Sequence, residues 1–117
     1  MRKLSKYRAV PTVIDGVRFA SKKEARRFAE LKLLEKAGEI TGLLLQPRYD
    51  LYVVGNGAGN EPAGYQAQIG CYVADFTYFD RRSQRVVVED TKGFKTRLYR
   101  WKKKHVEAQY GIEIKEL

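Results

Sequence analysis

Tyr72-Val73-Ala74-Asp75-Phe76-Thr77-Tyr78-Phe79 and Arg85-Val86-Val87-Val88-Glu89-Asp90-Thr91-Lys92 are two strand-like runs joined by the polar turn Asp80-Arg81-Arg82-Ser83-Gln84. A hairpin centred between Arg82 and Ser83 sets Phe79 opposite Val86, Thr77 opposite Val88 and Asp75 opposite Asp90. Residues directly opposite in an antiparallel pair share a face, with Cβ atoms about 5 Å apart. Two carboxylates placed so repel each other, and folding alone gives no reason for it. A divalent cation would give one, because Mg²⁺ and its kin prefer carboxylate oxygens. Lys92 lies two residues beyond Asp90, so its side chain leaves the same face. A pair of acids with an ammonium beside it is a recurrent way to cut phosphodiester bonds. The plainer alternative places both aspartates at exposed strand ends, paired with surface arginines. Glu89 alternates to the opposite face, towards a basic partner, unless a bulge lets it exchange roles with Asp90.

Around this hairpin the chain reads as one α/β domain over residues 1–117, with a mixed sheet flanked by helices. Residues 1–8 form a basic arm. Thr12 to Phe19 is a small hairpin turning at Asp15-Gly16. Ser21 to Ala37 is the clearest helix, capped by Ser21 and stopped by Gly38. Leu43 to Val54 reads as strand broken by Pro47, and 55–68 as a glycine-rich loop between strands. That loop lacks the closing Lys-Ser/Thr and the following helix of a phosphate-binding motif, and no small organic cofactor is expected. A second helix runs from Thr96 to Tyr110, with Leu98, Trp101, His105 and Ala108 near one side. Trp101 is therefore expected in the core rather than as a stacking platform. Ile112 to Lys115 closes the chain as a strand.

The chain carries 23 Lys and Arg against 14 Asp and Glu, a net charge of +9, which points to a polyanionic partner. No apolar run approaches the roughly 18 residues that cross a bilayer, so no membrane association and a cytoplasmic location are expected. The single cysteine, Cys71, cannot form an internal disulfide or a cysteine zinc site, and reads as a small buried hydrophobe. Between Lys92 and Lys104 stand Lys95, Arg97, Arg100, Lys102 and Lys103, seven cations in all, suited to gripping a phosphate backbone. Lys92 suits either water activation or charge neutralisation at phosphorus, with simple phosphate contact as the alternative. Glu24 follows Ser21 by three residues, a capping box that explains it structurally, yet it also sits where the helix meets the sheet.

Glu24 within Ser21-Lys22-Lys23-Glu24-Ala25, Asp75 within Ala74-Asp75-Phe76, and Asp90-Thr91-Lys92 together resemble the PD-(D/E)XK nuclease superfamily. The nearer likeness is to a small phage- and prophage-encoded family, across Asp15 to Ala25, Leu31 to Ile40, Tyr72 to Phe76 and Val88 to Gly93. The proline that names the motif is absent, since Ala74 precedes Asp75. The resemblance implies a restriction-endonuclease-like αβββαβ core. It implies cleavage of DNA with Mg²⁺ or Mn²⁺, by a homodimer in many relatives. Asp75, Asp90 and Glu24 would ligate the metal and Lys92 would assist the attacking water. Phage DNA recombination, repair or processing, including junction resolution, would be the setting, in the host cytoplasm. A catalytically idle nucleic-acid-binding module on the same fold is the competing class, and a DNA packaging factor a third.

Overall fold

The computed structural model describes residues 11–91 and 95–117. The N-terminal hairpin pairs β1 (Thr12–Ile14) with β2 (Val17–Phe19). Asp15 and Gly16 both take positive φ, 50° and 77°, the two-residue turn whose twist suits flanking strands. Helix α1 (Lys22–Lys36) starts at Ser21, whose hydroxyl accepts the Glu24 N–H at 3.2 Å. It ends in a Schellman arrangement: Gly38 N–H donates to Glu35 O and Glu39 N–H to Leu34 O, with Gly38 at φ 79°.

Strand β3 (Ile40–Leu45) then enters the main sheet, and β4 (Arg48–Val54) leaves it after Pro47. β4 pairs only with β5 (Gln66–Val73), forming a two-stranded ribbon. The chain re-enters the main sheet as β6 (Phe76–Asp80), turns, and returns as β7 (Arg85–Asp90). Helix α2 (Arg97–Tyr110) and β8 (Ile114–Glu116) complete the fold. The main sheet has the order β3-β6-β7-β8, antiparallel except for the parallel β7–β8 pair. The mixed α/β reading therefore stands.

The β6–β7 register is the expected one for Phe79 with Val86 and Thr77 with Val88, but the ladder ends at Phe76 with Glu89, and the expected pairing of Asp75 with Asp90 is replaced by the Asp75 N–H bonding Glu89 O. The Asp80 carboxylate secures the turn by accepting from Arg82 N–H at 3.1 Å and Ser83 Oγ at 2.9 Å. One sheet face carries Phe76 and Tyr78 against Phe28, Leu31 and Phe19 of α1 and β2. The opposite face carries Val88 and Ile114 against Tyr99 and Val106 of α2 and Leu51 and Tyr72 at the ribbon's root. Among the described residues no helix is long and apolar enough to cross a membrane.

Five expectations change. Tyr72 to Phe79 is not one strand: it breaks at Ala74-Asp75, where Ala74 N–H bonds Pro47 O and Gln46 N–H bonds Asp75 O. The ribbon thus ends and the main sheet begins at one joint. The 55–68 loop is shorter, because β5 already starts at Gln66 and its backbone pairs with Val54. In α2 the buried side chains are Tyr99 and Val106, while Trp101 is 75% exposed and Leu98 64% exposed. The core beneath α2 is small, and the narrow Tyr99–Val106 stripe fills it. Cys71 lies within β5 and is only half-buried. β8 begins at Ile114, two residues later than expected.

Candidate functional site

Asp75 occupies the joint itself. Its N–H donates to Glu89 O at 3.1 Å, one residue off the regular ladder. Its Oδ2 accepts from the Thr91 N–H at 2.7 Å and the Thr91 hydroxyl at 2.6 Å, across the end of β7. Asp90, at that end, is 1% exposed. Its Oδ2 accepts from the Tyr72 hydroxyl. Burial, then the hydrogen bond to Asp90, holds the Tyr72 phenol well above its ordinary range. The Tyr72 ring packs on Tyr99 with centroids 6.2 Å apart, so ribbon and α2 together seat Asp90.

Glu24 approaches from the first turn of α1 and is 6% exposed. Burial first, and then the negative charge of Asp75, push its carboxyl up to about 7. A hydrogen bond shared with Asp75 and the charge of Asp90 push the same way, while the Ala20 backbone opposes them. Asp75 from the joint and Asp90 from β7 therefore both act on Glu24 of α1. The capping function of Ser21 is real, but Glu24's carboxyl is turned to the acids as well. Carboxylate oxygens crowded in a dry site are the donor chemistry a hard divalent cation takes. Their placement is not yet that of a formed ligand set: among the described residues no group of three or more His, Cys, Asp or Glu side chains could hold a metal ion. Lys92 lies outside the described residues.

Glu89 shows the opposite arrangement. It is 0% exposed, and its two oxygens accept from Arg27 Nε and Nη2, each at 2.7 Å. The Tyr78 hydroxyl also donates to it. The guanidinium's hydrogen bond to Glu89 raises the Arg27 pKa further. Such a bidentate pair neutralises the charge on the α1 face. Glu89 is a structural acid, and the exchange of roles with Asp90 does not occur.

The cationic segment divides. Lys95 and Lys103 are tied to Glu116 at 3.2 and 2.9 Å, and Tyr99 Oη donates to the same carboxylate at 3.1 Å. Arg97, Arg100 and Lys104 are exposed on α2 and meet no carboxylate among the described residues; Lys102 is half-buried. His105 sits at the core margin as expected, its Nε2 2.7 Å from Tyr52 O. Sequence reasoning missed Tyr72 and Thr91 as the groups that hold the two aspartates. Their only signal was proximity, Tyr72 three residues before Asp75 and Thr91 beside Asp90.

No curated protein and no solved structure matches the chain. A family profile described as a protein of unknown function matches residues 4–116, nearly the whole chain. The chain belongs to the DUF1064 family.

Proposed function

We propose that the chain is a divalent-metal-dependent DNA endonuclease. The observation that carries this reading is the convergence of Glu24, Asp75 and Asp90: burial first, and then the charges of the two aspartates, push the Glu24 carboxyl up to about 7. A fold gains nothing from such crowding, whereas a phosphodiester hydrolase uses it to seat a cation. With the β4–β5 ribbon set aside as an insertion, the order is α1-β3-β6-β7-α2-β8. That is the α-β-β-β-α-β order of the PD-(D/E)XK superfamily, which supports a restriction-endonuclease-like core. The net charge of +9 suits a nucleic-acid substrate.

Asp75 and Asp90 would hold Mg²⁺ or Mn²⁺, with Glu24 as a third carboxylate. Such an ion, held there, would supply an activated water and charge stabilisation on the transferring phosphoryl group. Thr91 and Tyr72 hold the aspartates in place through the hydrogen bonds described above. The raised Glu24 carboxyl would lower the total negative charge of the three acids near neutrality. Lys92 is assigned to the water by the sequence motif alone.

The test is nicking of supercoiled plasmid. The wild type is expected to cut with Mg²⁺ or Mn²⁺ and to stop in EDTA, while Asp75→Ala and Asp90→Ala fall to background and still bind DNA. No cutting by the wild type of supercoiled, linear or branched DNA overturns the proposal. One observation favours a second reading, a binding module without catalysis. Asp75 and Asp90 each direct an oxygen to a neighbouring hydroxyl, and no three-ligand group is formed among the described residues. Under that reading wild type and both variants bind alike and none cuts.

A further inference from the structure

The outward face of α2 combines features that the acidic site does not use. At 100° per residue, Arg97, Arg100, Trp101, Lys104 and Ala108 fall on one side of the helix and the buried Tyr99 and Val106 on the other. That outward side carries three exposed cations around an indole that is 75% exposed. Arg97 and Lys104 stand four residues before and three after Trp101, the spacings at which helical side chains meet. The one α2 carboxylate, Glu107, is turned inward and accepts from Ile114 N–H at 2.8 Å. Burying a tryptophan would gain far more than leaving it in water, so its position here has no folding rationale.

A groove opens on the neighbouring side of α2. Leu98, one turn before Trp101, lines a cavity of about 190 Å³ with Thr96, the cap of α2, with Tyr99 and Lys102 of α2 and with Cys71, Tyr72 and Val73 of β5. Leu98 and Val73 are both largely exposed. Tyr72 on the groove wall is the residue whose hydroxyl holds Asp90. The groove thus runs between α2 and β5 beside the tyrosine that holds Asp90, with an apolar rim and the Lys102 side chain on its wall.

We propose that Trp101 is a stacking platform for an unpaired nucleobase, and that the substrate class is DNA with a single-stranded segment, such as a fork, flap or branch. This rests on the endonuclease reading and names its substrate. In blunt duplex every base is stacked within the helix and offers no free face, whereas a splayed strand does. Cations spaced around an aromatic ring are how sequence-tolerant single-strand binders hold backbone and base together. Arg97, Arg100 and Lys104 take the phosphates, the indole takes the base, and the groove receives its neighbour. A second copy of the chain is a poor occupant, because a two-fold contact would set the same three cations against each other.

Trp101 is the chain's single tryptophan, so its own emission reports the contact. The full-length protein in EDTA is titrated with a forked duplex, with oligo(dT) and with blunt duplex of matched length. Fork and oligo(dT) are expected to quench the emission, and the fork to bind about tenfold more tightly than blunt duplex. Trp101→Ala is expected to abolish that preference and Trp101→Phe to keep most of it, as measured by anisotropy of labelled DNA. Absence of quenching, equal affinity for fork and blunt duplex, or an unchanged preference in Trp101→Ala overturns the proposal. An emission shift that follows protein concentration without DNA overturns it in favour of self-association. Because binding is read without metal, it stands or falls separately from cutting: an idle nuclease that still prefers the fork defeats only the catalytic reading.

Discussion

Glu89 and Asp90 are neighbours on β7, both fully buried, and they differ in what surrounds them. On the α1 side, Glu89 meets a guanidinium that closes on it with two hydrogen bonds, and a tyrosine completes the set. At the other end of the comparison, Asp90 meets a tyrosine hydroxyl and the charge interaction with Glu24. A buried charge is expensive unless paired. The first acid shows how this fold compensates one when stability alone is at stake. The second shows the fold tolerating like charges together, which is why function is sought there and not at Glu89.

The largest expected effect breaks the compensated side. Arg27→Met leaves Glu89 buried without its cation and should cost about 3–5 kcal/mol in urea unfolding. The double change Arg27→Met with Glu89→Leu should recover most of that, and Asp90→Asn, which keeps an acceptor for Tyr72, should cost under about 1 kcal/mol. Equal losses at the two sites would erase the distinction.

The next effect belongs to the acidic side. The folded protein holds a proton on Glu24 up to about pH 7, whereas the unfolded chain releases it near 4.5. Stability from this group is therefore full below 4.5 and is lost as pH rises through 7. Glu24→Gln should flatten that slope, leaving the variant about 2 kcal/mol more stable than wild type at pH 8 and no different at pH 4.5. An unchanged slope would show that the Glu24 carboxyl is not raised by its surroundings.

The smallest effect sharpens the comparison with a ligand. Mn²⁺ or Mg²⁺ at ten times its dissociation constant should add about 1.4 kcal/mol, a rise of several degrees in Tm. Arg27→Met should respond as the wild type does, and Asp75→Asn with Asp90→Asn should not respond. A response that follows Arg27 instead would move the ion to the wrong side of the sheet.

Much of this was legible in the sequence because local signals and tertiary structure agree. Asp15-Gly16, Ser21 and Gly38 punctuate the chain where backbone geometry requires them, and the β6–β7 pairing follows from matching Phe79 with Val86 and Thr77 with Val88. The break at Ala74-Asp75 was invisible because no glycine or proline marks it and apolar alternation runs straight through. β5 was read as loop over Gln66 to Gln68 because a ribbon largely exposed on both faces leaves no periodic pattern. Trp101 was misplaced because a large aromatic at helical spacing usually marks a core, and here a narrow stripe of two residues suffices. Register and resemblance single out the acids, but Tyr72 and Thr91, which bond to the two aspartates, make contacts across elements that no local pattern records.

The joint between ribbon and sheet has a mechanical consequence. Tyr72, which steadies Asp90, and Asp75, which grips Thr91, lie three residues apart at the ribbon's root. A load applied at the ribbon's far end would act as on a lever whose fulcrum is Ala74, and would turn both aspartates together. The loop at 55–65 is therefore a remote handle on the geometry of the acids, although it lies far along the ribbon from them.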